Sequence, residues 1–328
     1  MVLTRSSVHD RIRASAKVTA RAGAHDLEFQ AMATRCRVSF ASNAGLAKTF
    51  AAAVLEWVAD FEARYSRFLP DSLISRINQN AGRDWVEIDA ETQRILALCD
   101  EAHFLTRGVF DPTSLPLIQL WNWKASPPVI PGDSEIRAAM KLVGWRQVQR
   151  APGKIFLPRA GMSLDLGGIG KEYAVDRVVH LASEHGINST LVDFGQDVFA
   201  FGLPPDGRPA WHIGLENPKQ PGKCWAGVAV KNQAVATSGD YVRRFEINGQ
   251  RYGHIMDVRT GQPVANGCLA VSVIAPTCTL AGLYATAAFV LGPEEGIKLL
   301  EATPNVAGCL SLENKRVHTR RFYEYVVT

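Results

Sequence analysis

Apolar residues along this chain follow two different periods, which alternate without a regular repeat. Residues 35–40 (RCRVSF) put an apolar side chain at every second position, which predicts a short strand. Residues 45–65 (GLAKTFAAAVLEWVADFEARY) are rich in alanine and predict a long helix. A further helix is expected over 89–107, with Ile95, Leu96, Cys99 and Phe104 as its apolar stripe. The stretch 111–133 is rich in Pro and Trp and reads as irregular; Asp133 or Ser134 then caps a short helix ending at Gly144. Further on, Ala174, Val175, Val178, Leu181 and Ala182 share one helical face, and Gly186 is a natural stop. Residues 189–194 (STLVDF) form the next apolar strand, so this region reads strand, glycine turn, helix, strand. Strand patterns dominate afterwards, at 211–215, 226–231, 243–247 and 269–275. A helix over 278–291, a short one near 294–301 and two closing strands complete the chain. Mixed order of this kind predicts an α+β fold, with mixed or antiparallel sheets and helices packed on them.

Composition refines this picture only at the N-terminus. The 328 residues are 47% hydrophobic and 21% charged, as in ordinary globular protein, and suffice for one large core or two smaller ones. The net charge of +4, with signs interspersed, gives no electrostatic case for nucleic acid or a membrane surface. At the start, Arg5, Arg11, Arg13, Lys17 and Arg21 face only Asp10 and Asp26. Residues 1–28 therefore read as a basic, flexible tail ahead of a single domain over 29–328. The first 30 residues hold no apolar signal segment, and no apolar run reaches about 18 residues, so a cytoplasmic protein without a membrane span is expected. Six scattered cysteines without a C-x-x-C pair predict neither a zinc knuckle nor a disulfide framework.

The chemistry concentrates in three polar stretches. In SLDLGGIGKEYAVDRV (163–178), Gly167, Gly168 and Gly170 lead into a helix with Lys171 beside them. A helix N-terminus offers unpaired N–H groups and a partial positive charge, and glycine lets an anion approach the backbone, so the stretch suits a phosphate. It matches neither the P-loop nor the dinucleotide-binding fingerprint; a tight turn whose glycines serve only packing is the alternative. VATSGDYVRRF (235–245) sets Thr237, Ser238 and Asp240 around a glycine. RYGHIMDVRTGQPV (251–264) sets His254 three residues before Asp257. Histidine with an orienting carboxylate suits general-base work; the alternative is that Asp257 and Thr260 cap a turn while His254 packs.

Taken in order, these stretches resemble the FAD:protein FMN transferase (ApbE) family. MATR (32–35) resembles its opening M-G-T, and YSRFLPDSLISRIN (65–78) resembles S-T-Y-x-x-x-S-x-[IL]-x-x-[IL]-N. GVFDPTSLPLIQLW (108–121) resembles G-x-F-D-P-T-x-x-P-L, and DLGGIGKEYAVD (165–176) resembles D-L-G-G-I-A-K-G-Y-A-V-D. LVDFGQDVFAFG (191–202), TSGDYVRRF and HIMDVRTGQPV resemble L-V-N-L-G-G-D, T-S-G-D-Y and H-I-I-D-P-x-T-G-x-P. The resemblance implies a cleft between two subdomains that binds FAD with Mg2+ on the pyrophosphate. It implies transfer of FMN to a Thr or Ser hydroxyl of an acceptor flavoprotein, with release of AMP. By position, Met32, Phe68, Val109, Phe110, Asp111, Gly167, Lys171, Tyr173, His254 and Ile255 would line the FAD site. His254 would deprotonate the acceptor hydroxyl and Asp257 would orient it.

The metal site departs from the pattern. The family's backbone carbonyl falls on Gly170 and its late-helix Thr on Thr286, but AGLYAT (281–286) puts Gly282 where the family has Asp. Another carboxylate (Asp240, Asp257 or Glu172) would then reach the metal, or water would fill the gap. Otherwise the protein would bind FAD without transferring it. A separate alternative is a metal-dependent FAD pyrophosphatase, in which water replaces the acceptor hydroxyl. Gly282 within a helix also marks close packing, and Cys278 one turn earlier reads as core because magnesium disfavours thiolate. Glu172 and Gln196 each stand where the family has glycine. Trp121 and Trp123 read as core packing, with a lid over the flavin or an acceptor contact as the alternatives.

Overall fold

The computed structural model describes residues 5–21, 23–241 and 243–327. Its frame is one antiparallel nine-stranded sheet whose order in space follows the order of the strands along the chain. The strands are β1 (Lys17–Arg21), β2 (Ala24–Ala31), β3 (Thr34–Phe40), β4 (Thr190–Phe194), β5 (Asp197–Phe201), β6 (Gln233–Gly239), β7 (Cys268–Ala275), β8 (Ala307–Leu312) and β9 (Arg316–His318). The helices are α1 (Arg5–Ser15), α2 (Ala44–Tyr65), α3 (Leu73–Gln79), α4 (Ala90–Leu105), α5 (Leu115–Trp121), α6 (Asp133–Met140), α7 (Gly170–Glu184) and α8 (Cys278–Ala302). Helices α2 to α7 are inserted between β3 and β4, which nevertheless pair directly, Val38 opposite Val192.

Side chains alternate across the central strands, as the pleat requires. Val192, Phe194, Phe199, Ala234, Ala236, Val271 and Val273 face the main core with α2, α7 and α8. Ala200, Val235 and Ile274 face the other way. There they meet Trp211, Leu215, Val228 and Val230 of a small sheet formed by strands Trp211–Asn217, Gln220–Val230 and Val326–Val327. β7 is covered on both faces and buried along its whole length. A third cluster joins Leu117, Trp121 and Ile136 of α5 and α6 to Tyr252 and Met256. Among the described residues no helix is long and apolar enough to cross a membrane.

The N-terminal expectation is corrected. Arg5–Ser15, Lys17–Arg21 and Ala24–Ala31 form α1, β1 and β2 rather than a flexible tail. Val8 and Ile12, one helical turn apart, are buried in the main core. Arg5, Arg11 and Arg13 reach Asp60, Glu62 and Glu56 on α2 at 2.6, 2.6 and 2.5 Å. Arg21 pairs with Asp26. The supposed irregular stretch 111–133 contains α5, which opens on Pro116 in its first turn, where a missing N–H costs nothing. The N-cap of α6 is Gly132, whose N–H donates to Glu135 at 2.8 Å, rather than Asp133 or Ser134. Phe104 is 77% exposed and leaves the α4 stripe to Ile95, Leu96 and Cys99. α8 is interrupted at Gly292, in the left-handed region (φ 81°) before Pro293, so two helices run in succession as the sequence predicts.

Candidate functional site

The glycine turn is held from two sides. The Asp165 N–H donates to the Pro112 carbonyl at 2.8 Å. Its carboxylate accepts the Gly167 N–H at 3.0 Å and pairs with Arg67 at 3.1 Å. The Phe110 ring lies against Gly168, 3.2 Å from where a Cβ would stand. α7 then opens at Gly170 with no side chain capping its first turn, so its N-terminal donors are left to backbone or ligand. The glycines thus serve both packing and an open approach.

Lys171 is not a free cation. It ion-pairs with Asp197, which is 3% exposed at the start of β5, and lies 3.8 Å from Oε1 of Glu172. Glu172 Oε2 is buried and has no hydrogen-bond partner. Facing it is α8, whose N-terminus is fastened to α7 by Asp176. That carboxylate accepts the N–H groups of Cys278 and Thr279 at 2.7 and 2.9 Å and the Thr279 hydroxyl at 2.6 Å. Cys278 is fully buried, as expected of a core residue. Gly282 lies one turn further along α8, and a Cβ there would meet Glu172 Cγ at 2.6 Å. One more turn on, the Thr286 hydroxyl is 2.8 Å from that of Ser238 on β6. The clasp brings Glu172 of α7 against Gly282 of α8, with Gly170 and Lys171 in the same turn of α7 and Thr286 one turn further along α8.

The other expected residues are spread along neighbouring elements. Met32 and Ala33 are the two turn residues between β2 and β3, both at positive φ (49° and 56°), and the Met32 N–H donates to Glu62 at 2.8 Å. Phe68 is 65% exposed beneath the Arg67 guanidinium, 4.3 Å from the ring centroid. Val109 and Phe110 are buried. Asp111 is buried as a loop organiser: it accepts the Thr113 N–H and hydroxyl at 2.8 and 2.5 Å and the Trp145 N–H at 3.0 Å. Tyr173 points to α2, stacked on Phe61 with Trp57 beyond. Ile255 packs against the main core.

His254 and Asp257 do not act as a pair here. Asp257 is held by Arg259 through two bonds of 2.8 and 2.7 Å, and its carbonyl accepts the Thr260 and Gly261 N–H groups. It builds the turn, and among the described residues its carboxylate is bonded to Arg259 and not to His254. His254 is half-buried, its N–H bonded to the Arg243 carbonyl, its Nδ1 without a partner, its ring beside Trp123. Burial, reinforced by the Arg243 cation, lowers its pKa to about 4, so the imidazole is neutral at pH 7. Asp240 pairs with Arg251 at 3.2 Å through Oδ2, and its Oδ1 is buried without a partner. Trp121 is core, its indole N–H bonded to the Gly261 carbonyl at 2.8 Å. An open cavity of about 500 Å³ lined by Ala41, Asn188, Ser189, Gly202, Leu203 and Lys231 includes none of these residues. Asp197 was not singled out by its chemistry, although it lies within a quoted motif; the pairing of strands sets it against Lys171 of α7, as it sets Ser238 against Thr286 of α8.

An antiparallel α+β frame with a glycine-led helix set against a late helix is the architecture to which the comparisons belong. The model of the ApbE family matches residues 32–310, and the chain belongs to that family. Two relatives, both named FAD:protein FMN transferase, come from Treponema pallidum and Vibrio cholerae. The first is 35% identical, covering 87% of this chain and 83% of its own length. The second is 30% identical, covering 83% and 82%. The solved structure of the ApbE protein from Thermotoga maritima superposes with a TM-score of 0.85 at 30% identity over 93% of this chain and all of its own. That of the flavin transferase ApbE from Vibrio cholerae gives 0.82 at 26% identity over 94% and 99%.

Proposed function

We propose that this chain is an FAD:protein FMN transferase that moves FMN from FAD to a Thr or Ser hydroxyl of an acceptor flavoprotein and releases AMP. The observation that carries the reading is the approach of Glu172, beside Lys171 in the uncapped first turn of α7, to Gly282 on α8, one turn before Thr286, in a chain of this family. The first turn of α7 would receive the pyrophosphate on its N–H groups. Lys171, held in place by Asp197, would offset charge on the phosphate oxygens. Phe68, exposed and already stacked on a guanidinium, is free to meet a flavin or adenine ring. Neutral His254 would take the proton from the acceptor oxygen as it attacks the phosphorus on the FMN side, and AMP leaves with the electron pair of the broken P–O bond.

A bound Mg2+ would supply Lewis-acid neutralisation of the pyrophosphate. The donors present fit a hard cation: the Gly170 carbonyl, the Thr286 hydroxyl and a buried carboxylate oxygen with no partner. The FAD-binding reading rested on the loss of a carboxylate at Gly282, and Glu172 lies against that position. The test is the mass of an acceptor flavoprotein domain after incubation with the chain, FAD and either Mg2+ or EDTA. A gain of one FMN that depends on Mg2+ is expected. Intact FAD, or FAD cleaved to FMN and AMP beside an unmodified acceptor, would overturn the proposal.

A further inference from the structure

Two departures from the family pattern meet in space. Glu172 stands where the resemblance gives glycine, and Gly282 where it gives aspartate. A Cβ on Gly282 would lie 2.6 Å from Glu172 Cγ and 3.1 Å from its Cδ and Oε1. The Glu172 carboxyl group therefore fills the volume that a side chain at 282 would enter. The residue is 8% exposed, its Oε1 is 3.8 Å from Lys171, and its Oε2 has no donor. A carboxylate oxygen buried without a partner is costly unless a cation or donor completes it. Hard divalent cations take oxygen ligands of this kind.

We infer that Glu172 supplies the carboxylate ligand of the divalent-cation site, with the Gly170 carbonyl and the Thr286 hydroxyl, so that this ligand comes from α7 instead of α8. The inference rests on the transferase reading for the use of the metal, but metal affinity is measurable without FAD or acceptor. Glu172 is longer than aspartate by one methylene and starts on the opposite helix, and the missing Cβ at 282 makes room for it.

The test is a Mn2+ titration of the full chain, followed by the electron-paramagnetic signal of free Mn2+, with thermal melts in parallel. Glu172→Gln is expected to weaken Mn2+ binding about tenfold or more, since even outer-shell changes cost ten- to hundredfold. The same variant should melt no lower than wild type without metal, because it removes a buried charge whose Oε2 has no donor, and should lose the Mn2+-induced rise. Gly282→Asp alone should bind no better than wild type, as its side chain collides with Glu172. Adding Glu172→Gly to it should restore binding relative to Glu172→Gly alone. The surface cluster of His9, Glu56 and Asp60 could also take up Mn2+; it is intact in every variant, and His9→Ala measures its share. Wild-type affinity in Glu172→Gln, or no Mn2+ bound by wild type beyond the His9 share, would overturn the inference. An unmodified acceptor beside a chain that binds Mn2+ through Glu172 would refute the transferase reading and leave this site standing.

Discussion

Acid should cost this protein stability through His254. The folded imidazole titrates near 4 because burial disfavours its charged form and the Arg243 cation adds to the effect. In the unfolded chain it titrates near 6.5. Between those values the unfolded state holds more protons, so stability is complete above about pH 6.5 and falls as pH drops toward 4. At about 1.4 kcal/mol per pH unit the full loss is about 3 kcal/mol, of which about 2 is gone by pH 5. The assay is urea denaturation of wild type and His254→Gln at pH 7 and pH 5. Subtracting the variant removes the buried carboxylates Asp176, Asp193 and Asp240, whose pKa values are raised by burial and act in the opposite direction. Wild type should lose about 2 kcal/mol more than the variant. Equal losses would refute the assignment of a buried neutral ring, and with it the ready base of the proposed mechanism.

Ala33 occupies a left-handed position in a two-residue hairpin turn, where the family pattern has glycine. Ala33→Gly should stabilise by about 0.5 kcal/mol, the left-handed penalty less glycine's greater unfolded freedom, read as a higher melting temperature. Asp176→Ala removes three hydrogen bonds from the start of α8 and should cost about 3 kcal/mol in denaturant melts; a loss below about 1 kcal/mol would mean that α8 is held by packing alone.

α2, α7 and β4 were legible in the sequence because one face of each is apolar, and β7 because it is a continuous apolar run; all four lie where the pattern puts them. α1 escaped notice because only Val8 and Ile12 anchor it, and its arginines find their carboxylates on α2, some fifty residues away. α5 was masked by Pro116, which is unfavourable inside a helix but harmless in its first turn. At the site, the resemblance supplied positions but not partners. Arg259 takes Asp257 from only two residues on, and Asp197 takes Lys171 across the gap between a helix and a strand. Glu172 was one of three carboxylates open to the metal, because sequence spacing does not show which helix leans on it.

The contact between residues 172 and 282 also constrains how such a chain can change by descent. A glutamate on α7 and any side chain on α8 compete for one volume. Exchange of the carboxylate between the helices must therefore pass through an intermediate with both side chains, which collide, or with neither, which leaves no acid. With Glu172 as the metal carboxylate, each substitution should be harmful without the other, and the pair should be inherited as a unit. Sequences that carry glutamate at the first position should carry glycine at the second, and a chimera that joins the first helix of one lineage to the last helix of another would fail at this point although every residue in it is native to some parent.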